Sequence, residues 1–172
     1  MHLKDPNTLP YRPCVGIVLL NAEGLIWLGR RFGDDLVQQE YERRWQMPQG
    51  GIDEHEDPQA AALRELHEET SVRSVTILGV TKDWICYDLP PEAVGIALKG
   101  KFRGQRQKWY AMRFTGQEQE IDLRPHGHKP EFDAWRWASA SEVLGLVVGF
   151  KRPAYEAVLA EFTHLIRGLT AN

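Results

Sequence analysis

One segment, residues 50–72, constrains the chain more than any other, because it joins a glycine pair directly to a capped helix. Its sequence is GGIDEHEDPQAAALRELHEETSV. The two glycines that open it indicate a backbone turn that side chains would obstruct. Asp57 and Pro58 are typical of a helix N-cap and of the first helical position. We therefore predict a glycine turn followed by a helix that runs to about Thr70.

Three glutamates of this helix share one face. At about 100° per residue, Glu65, Glu68 and Glu69 fall within an arc of roughly 100°. The apolar residues that we expect to pack on a sheet lie on the neighbouring face: Ala62, Leu63 and Leu66. Acidic helix faces are usually only solvated. Clustered hard oxygen ligands, however, are what Mg²⁺ and Mn²⁺ bind, usually together with substrate phosphates.

The rest of the chain alternates strand patterns with two helix patterns. Cys14–Leu20 is a continuous apolar run, typical of a strand that is buried on both faces. The other predicted strands are Leu25–Arg31, Trp45–Pro48, Ser74–Val80, Trp84–Leu89, Trp109–Phe114 and Trp135–Ala138. Ser139 has capping-box spacing and predicts a short helix. Pro153 begins an apolar stripe that predicts a C-terminal helix over about 153–169, packed into the core. We expect one domain over residues 1–172.

Composition excludes several classes of protein. The 172 residues carry a net charge of −3, which argues against coating long stretches of nucleic acid, and we expect no DNA binding. Two cysteines, Cys14 and Cys86, are too few for a disulfide framework or a zinc site and indicate a reducing compartment. No apolar run approaches the roughly 20 residues that span a bilayer, and no signal-peptide core is visible. We expect a soluble, cytoplasmic protein with no membrane partner.

The spacing of residues 50–72 resembles the Nudix box. Gly50 is followed after five residues by Glu56, and after seven more by the run Arg64–Leu66. Glu68-Glu69 and then Ser71-Val72 complete the pattern. The box normally has glycine where this chain has Ser71. Since glycine there would suit a left-handed helix end, Ser71 predicts a slightly different exit or modest strain.

This resemblance implies an α/β fold, the Nudix α/β/α sandwich with a mixed β-sheet, and hydrolysis of a nucleoside diphosphate linked to another group. It implies that the three helix glutamates hold divalent cations, Mg²⁺ or Mn²⁺, with help from the backbone carbonyl of Gly50. Glu56 and Arg64 match positions that brace the loop against the helix. In the family, the metals neutralise phosphate oxygens and activate a bound water.

Flanking segments narrow the resemblance to a bacterial group of RNA pyrophosphohydrolases and dinucleoside polyphosphate hydrolases, over about Tyr11 to Phe162. The matching stretches are YRP (11–13), VGI (15–17), RRFG (30–33), WQMPQGG (45–51), GQRQKW (104–109), PEFD (130–133), WRW (135–137) and FKR (150–152). The loop Asp34–Arg44 is longer than in the shorter members, and we expect an exposed loop or short helix there that alters substrate access.

The group implies removal of pyrophosphate from the 5′-triphosphate end of RNA, which leaves a 5′-monophosphate. The alternative substrate is a dinucleoside polyphosphate, such as diadenosine tetraphosphate. A third interpretation is a noncatalytic nucleotide-binding module. Such a module would be expected to have lost carboxylates that are all present here.

The same resemblance assigns roles outside the box. Glu131 matches a position that reaches the metal site from outside the helix, as a fourth ligand or a general base. The positions that surround the first nucleotide or its phosphates are Arg12, Arg31, Val148 and Phe150. Phe150 either stacks on a base or is a core aromatic. Lys151 is expected to contact phosphate. Arg106 and Lys108 either pair with polyphosphate or RNA backbone or belong to a solvated basic loop.

Overall fold

The computed structural model describes residues 5–32, 44–124 and 127–171. The predicted loop Asp34–Arg44 lies outside these residues except for Arg44. Eight strands form one sheet: β1 (Tyr11–Leu20), β2 (Ile26–Arg31), β3 (Trp45–Gln46), β4 (Gln49–Gly51), β5 (Val75–Val80), β6 (Ile85–Asp88), β7 (Gly104–Phe114) and β8 (Phe132–Ala138). The four α-helices are α1 (Pro58–Thr70), α2 (Ala140–Leu146), α3 (Arg152–Glu161) and α4 (Thr163–Thr170). None of these helices is long and apolar enough to cross a membrane.

The sheet is mixed, as the family resemblance implied. Its central path is β3-β2-β1-β7-β5, with β4 beside β1, β6 beside β7 and β8 beside β2. β1 and β7 run parallel, from Tyr11 opposite Gly104 to Leu20 opposite Arg113. The other pairs described are antiparallel. β1 therefore lies at the centre of the sheet, which explains its continuous apolar sequence.

Helices cover both faces of the sheet and confirm the α/β/α sandwich. On one face, α1 contributes Ala61, Ala62 and Leu66 to a core with alternate residues of β1 and β7. On the other face, α2, α3 and α4 pack on the remaining residues of these strands. Leu63 was expected to pack on the sheet, but its side chain is 39% exposed. That prediction was wrong because the buried side of α1 is narrower than the apolar pattern suggested.

Several predicted boundaries need correction. Gln49–Gly51 was expected as a turn but is a short strand, because its backbone pairs with β1. The strand predicted over Trp109–Phe114 is longer, since β7 already begins at Gly104. The predicted C-terminal helix is two helices that meet at Phe162. At this break the Thr163 hydroxyl donates to the Leu159 carbonyl at 2.8 Å, a bond that often bends helices.

The apolar stripe of the C-terminal helices is core, as predicted. Tyr155, Val158, Phe162 and Ile166 are all buried in the cluster that also holds Trp109 of β7. The Tyr155 hydroxyl accepts a hydrogen bond from the backbone N–H of Met47 at 3.0 Å. This contact anchors α3 to the chain segment that leads into β4 and the candidate site.

Candidate active site

Both ends of α1 are held by side-chain hydrogen bonds. The Asp57 carboxylate accepts from the backbone N–H of Ala60 at 3.1 Å, so the predicted N-cap is confirmed. Ser71 is left-handed, with φ of 67°, and its backbone N–H donates to the His67 carbonyl at 2.8 Å. The Ser71 hydroxyl also donates to the Asp122 carbonyl at 2.9 Å. This bond helps to offset the strain of a non-glycine residue in that conformation.

The two glycines of β4 make room for two charged side chains. A Cβ on Gly50 would collide with the Glu65 carboxyl, and a Cβ on Gly51 would collide with the Arg12 guanidinium. Successive residues of a strand point to opposite faces of the sheet. Glu65 and Arg12 therefore approach β4 from opposite faces, and only glycine at both positions allows such close contact.

Arg64 joins the loop before α1 to the helix. Its Nε donates to Glu56 at 2.8 Å, and its second terminal nitrogen donates to both Glu56 at 2.8 Å and the Gly51 carbonyl at 2.9 Å. The remaining nitrogen donates to Glu65 at 2.9 Å and to Glu68 at 3.3 Å. We call the contacts among Arg64, Glu56 and the Gly51 carbonyl the arginine brace. The bidentate pair at its centre is among the stronger ion-pair geometries in proteins.

The arginine brace has a large electrostatic effect on Glu56. The hydrogen bonds from Arg64 lower the pKa of the Glu56 carboxyl to about 2. In return, Glu56 raises the pKa of the Arg64 guanidinium above its usual value. The brace is therefore an ion pair in which both partners remain charged across the physiological pH range.

Glu69 has the opposite environment. It is 9% exposed, and one carboxylate oxygen accepts from the backbone N–H of Gln49 at 3.3 Å. Burial raises the pKa of Glu69 well above its usual value, and the nearby carboxylates of Glu131 and Glu65 raise it further. Burial also raises the pKa of Glu65, although Arg64 opposes this shift. Glu68 is half-buried.

These carboxylates fit a divalent cation by their chemistry. Like charges held in a poorly solvated site are unfavourable, and a hard cation with oxygen ligands relieves that repulsion. Across residues 5–32, 44–124 and 127–171, no group of three Asp, Glu, His or Cys side chains forms a preformed metal-binding cluster. A cation bound by these carboxylates would therefore need further oxygen ligands, such as water or phosphate.

Arg31 and Glu131 meet beside these carboxylates. Arg31 is the last residue of β2, and Glu131 directly precedes β8, which pairs with β2. Their side chains form an ion pair at 3.7 Å and are 41% and 45% exposed, respectively. Because exposed ion pairs contribute little to stability, this one can rearrange at small cost.

A cavity of about 400 Å³ adjoins Glu69 on the other side of β4. Several polar and aromatic side chains line it: Arg31, Gln49, Tyr87, Gln105, Phe150 and Lys151. Residues 89–98 form a largely apolar wall. Phe150 is half-buried, with its ring centroid 5.7 Å from that of Tyr87. Gln49 connects the cavity to the carboxylates, because its side chain lines the cavity and its backbone N–H bonds Glu69.

Lys151 is a buried cation at the wall of this cavity. It is 5% exposed, and its Nζ donates to the Gln46 side-chain carbonyl at 3.0 Å. Burial, and then the charge of Arg31, lower the pKa of the Lys151 ammonium to about 7. Its backbone N–H bonds the carbonyl of Val148 at 3.0 Å, and Val148 is half-buried.

Arg106 and Lys108 do not line the cavity. Along β7 they alternate with Gln105 and Gln107 and therefore point to the opposite face of the sheet. The Arg106 guanidinium lies 4.5 Å from the ring centroid of Trp84. Lys108 donates to the Lys82 carbonyl at 3.0 Å.

Sequence reasoning missed the glutamines and Tyr87 as members of the site. Gln49, Gln105 and Gln107 were noticed only as parts of matching stretches. An alternating pattern was available in residues 104–109, where buried glutamines alternate with basic residues. Reading that stretch as strand would have placed both glutamines on one face.

The fold and the site together define a class, that of hydrolases with an α/β/α sandwich fold that act on phosphoric anhydride bonds. The chain belongs to the NUDIX domain family, whose model matches residues 10–162. An RNA pyrophosphohydrolase of Rhizobium meliloti is 57% identical over 164 residues, which cover 92% of this chain and 97% of that protein. An RNA pyrophosphohydrolase of Brucella ovis is 55% identical over 166 residues, which cover 94% of this chain and 92% of that protein.

Solved structures agree on the fold. The E. coli dihydroneopterin triphosphate pyrophosphohydrolase superposes with a TM-score of 0.64 at 17% identity, and covers 88% of this chain and 99% of its own. A binary complex of the C. elegans Ap4A hydrolase superposes with a TM-score of 0.61 at 18% identity, and covers 91% of this chain and 98% of its own. At these identities, the likeness concerns the fold alone.

Proposed function

We propose that this chain removes pyrophosphate from the 5′-triphosphate end of RNA and leaves a 5′-monophosphate. The observation that carries the proposal is the contact between the two halves of the site. Gln49 links the buried carboxylate of Glu69 to a cavity that also presents Arg31 and Lys151. The name RNA pyrophosphohydrolase, borne by relatives 55–57% identical over nearly the whole chain, supports this substrate.

Glu65, Glu68 and Glu69, with the backbone carbonyl of Gly50, would hold Mg²⁺ or Mn²⁺. When bound, such a metal neutralises phosphate oxygens and lowers the pKa of a coordinated water. The raised pKa values of Glu65 and Glu69 support this assignment, since both carboxylates lack full compensation for their burial. The arginine brace keeps the loop before α1 in place while Glu65 stays next to Gly50.

We assign Glu131 as a further metal ligand or as the general base. Its charge contributes to the raised pKa of Glu69, so the two carboxylates face one site. Its 45% exposure allows exchange of a proton with solvent. In the overall reaction, the water oxygen bonds to phosphorus, the bridging P–O bond breaks, and the water protons pass to the base and to solvent.

The cavity would bind the nucleotide end of the substrate. Arg31 and Lys151 would pair with phosphate oxygens, and an anion there would favour the charged form of Lys151. Phe150 presents a half-buried ring on which a base can stack, a contact worth about 1–3 kcal/mol. Val148 and Arg12 would complete the surroundings of the first nucleotide.

Arg106 and Lys108 would act elsewhere, on the RNA backbone. Arg106 is exposed, and both side chains lie over the Trp84 ring on the face of the sheet opposite the cavity. A basic pair with an aromatic neighbour suits a phosphate chain that continues past the reacting end.

One comparison of substrates tests the proposal. The purified protein is incubated with Mg²⁺ and either a 5′-triphosphorylated oligoribonucleotide or diadenosine tetraphosphate, and the released phosphate products are quantified. We expect pyrophosphate and 5′-monophosphorylated RNA, at a higher kcat/KM than for the dinucleotide. Preference for diadenosine tetraphosphate would favour the dinucleoside polyphosphate alternative. Turnover in excess chelator would contradict the role of the metal.

A further inference from the structure

A row of buried amides lies beneath β4, and none of the roles assigned above accounts for it. Gln107 and Gln105 of β7 are 0% and 6% exposed, and Gln49 of β4 lies beside them. Trp109 closes one end of the row. Buried amides need hydrogen-bond partners, so the direction in which each amide points is restricted.

The indole of Trp109 sets the direction of Gln107. An indole N–H can only donate, and the Trp109 Nε1 donates to the Gln107 side-chain oxygen at 3.1 Å. The Gln107 NH₂ group must then point the other way. It donates one proton to Gln49 Oε1 at 3.0 Å and the other to Gln105 Oε1 at 2.9 Å.

This arrangement fixes the two outer amides as well. Since the oxygens of Gln49 and Gln105 accept from Gln107, their NH₂ groups point away from it, and both residues line the cavity. The hydrogen bond between Tyr87 and Gln49 is consistent with this direction of the Gln49 amide. Burial raises the pKa of its phenol, and the hydrogen bond with Gln49 opposes the rise, as expected when the amide donates.

We propose that Gln107 is a positioning residue that sets the hydrogen-bond polarity of the cavity. By this polarity we mean whether the amides that line the cavity present N–H donors or carbonyl acceptors to it. Through it, Gln49 and Gln105 present N–H donors beside the cations Arg31 and Lys151. The cavity thereby selects substrate groups that only accept hydrogen bonds, namely phosphate oxygens or base carbonyls. The assignment of these groups rests on the proposed function, whereas the direction of the amides does not.

Two substitutions at position 107 separate polarity from packing. Gln107→Glu keeps the shape and still accepts from Trp109. As a carboxylate it donates to neither Gln49 nor Gln105, and as a neutral acid it donates to only one of them, so at least one of their NH₂ groups must turn toward it. Gln107→Met keeps the length and leaves both amides free to rotate. We expect KM for triphosphorylated RNA to rise about tenfold or more in the glutamate variant, and only about two- to threefold in the methionine variant. In both variants kcat should stay within about twofold of the wild type.

A purely structural role predicts a different result. In that case the two variants would lose activity in proportion to their loss of melting temperature, with kcat and KM changing together. Equal KM values for the glutamate and methionine variants would overturn the proposal.

A measurement on the unmodified protein keeps the proposal testable if the glutamate variant does not fold. The side-chain NH₂ signals of the three glutamines are followed by ¹⁵N NMR during titration with inorganic triphosphate and, separately, with guanosine. We expect the Gln49 and Gln105 signals to shift while those of Gln107 stay in place and exchange slowly with solvent. A shift with triphosphate identifies phosphate oxygens as the acceptors, and a shift with guanosine identifies a base carbonyl.

The titration needs no catalysis, so its outcome is independent of the proposed reaction. If RNA is not hydrolysed but the Gln49 and Gln105 signals shift, the proposed function fails and the polarity of the cavity stands. If neither probe moves these signals, or if Gln107 responds instead, the positioning role is wrong.

Discussion

Two glutamates of the same 23-residue segment have opposite electrostatic environments. Glu56 lies against Arg64, whose hydrogen bonds lower its pKa to about 2. Glu69 is buried near Glu131 and Glu65, which together with burial raise its pKa. The difference arises from the partner and not from depth alone, since the Glu56 side chain is itself only 18% exposed. The arginine brace therefore stabilises the fold. The buried negative charge of Glu69 destabilises it, and a bound cation would offset that effect.

The largest effect expected from this comparison concerns turnover. Glu69→Gln should lower kcat by about two to three orders of magnitude, because one negative charge is lost from the proposed metal site. In chelator at pH 7, however, its melting temperature should equal or exceed that of the wild type. The folded-state pKa of Glu69 is raised, so the carboxylate destabilises the fold above about pH 4.5 and has no such effect at lower pH. Initial rates, and thermal melts at pH 7 and pH 4, check both parts.

Glu56→Gln is the matched control for this experiment, since it neutralises a glutamate of the same segment outside the proposed metal site. It should lower the melting temperature while it retains far more turnover than Glu69→Gln. If Glu69→Gln melted well below the wild type at pH 7 in chelator, the contrast between the two environments would be wrong.

The next effect concerns the arginine brace. Arg64→Met leaves Glu56 and Glu65 without their partner and should lower the free energy of unfolding by about 3 kcal/mol. Because the folded-state pKa of Glu56 is depressed, its contribution is present above about pH 4.5 and is lost as the pH falls through about 2. Urea unfolding of both proteins between pH 2 and 6 measures this dependence.

Arg64→Lys supplies the comparison for this variant. It keeps the charge but not the bidentate contact with Glu56, so its free energy of unfolding should fall between those of the wild type and the methionine variant. A stability difference that is constant from pH 2 to pH 6 would show that the brace acts by packing alone.

Metal binding should separate the two environments directly. Mg²⁺ at 100 times its Kd should stabilise the wild type by about 2.7 kcal/mol, as for any ligand that binds only the folded state. Glu56→Gln should retain this gain, and both Glu68→Gln and Glu69→Gln should lose much of it. Calorimetric Kd values, and melting curves for all four proteins at one Mg²⁺ concentration, 100 times the wild-type Kd, provide the measurement. An unchanged melting temperature at proven saturation would argue against a site that exists before metal binds.

The smallest effect lies outside both environments, at the cavity. Phe150→Ala should reduce kcat/KM for triphosphorylated RNA by about tenfold through lost stacking, with little change in the Mg²⁺ gain. Because Phe150 is half-buried, the melting temperature of the Phe150→Ala variant should fall only modestly. Arg31→Lys, which keeps the charge but not the planar contact, is measured beside it. If Phe150→Ala lost about 3–5 kcal/mol of stability yet hydrolysed RNA normally, the residue would be core.

The sequence by itself determined α1 and its ends, because these depend on neighbours within a few residues. The N-cap at Asp57 follows from local side-chain chemistry, whereas Ser71 keeps the left-handed helix end that glycine would favour, so the different exit predicted as one alternative there was wrong. The burial of β1 on both faces followed from its unbroken apolar run, and the mixed sheet followed from the resemblance carried by residues 50–72 and their flanks.

Only the tertiary structure decided what each acidic or amide side chain meets. The contact between Gln107 and Gln49 spans 58 positions of the chain and exists because β7 and β4 both pair with β1. The pKa of Glu69 is likewise raised first by burial and then by the charge of Glu131, which the pairing of β8 with β2 brings close. Charge and hydrogen-bonding capacity are properties of a residue. Burial and partners are properties of the assembled sheet, and they decide whether the pKa of a glutamate is lowered, as at Glu56, or raised, as at Glu69.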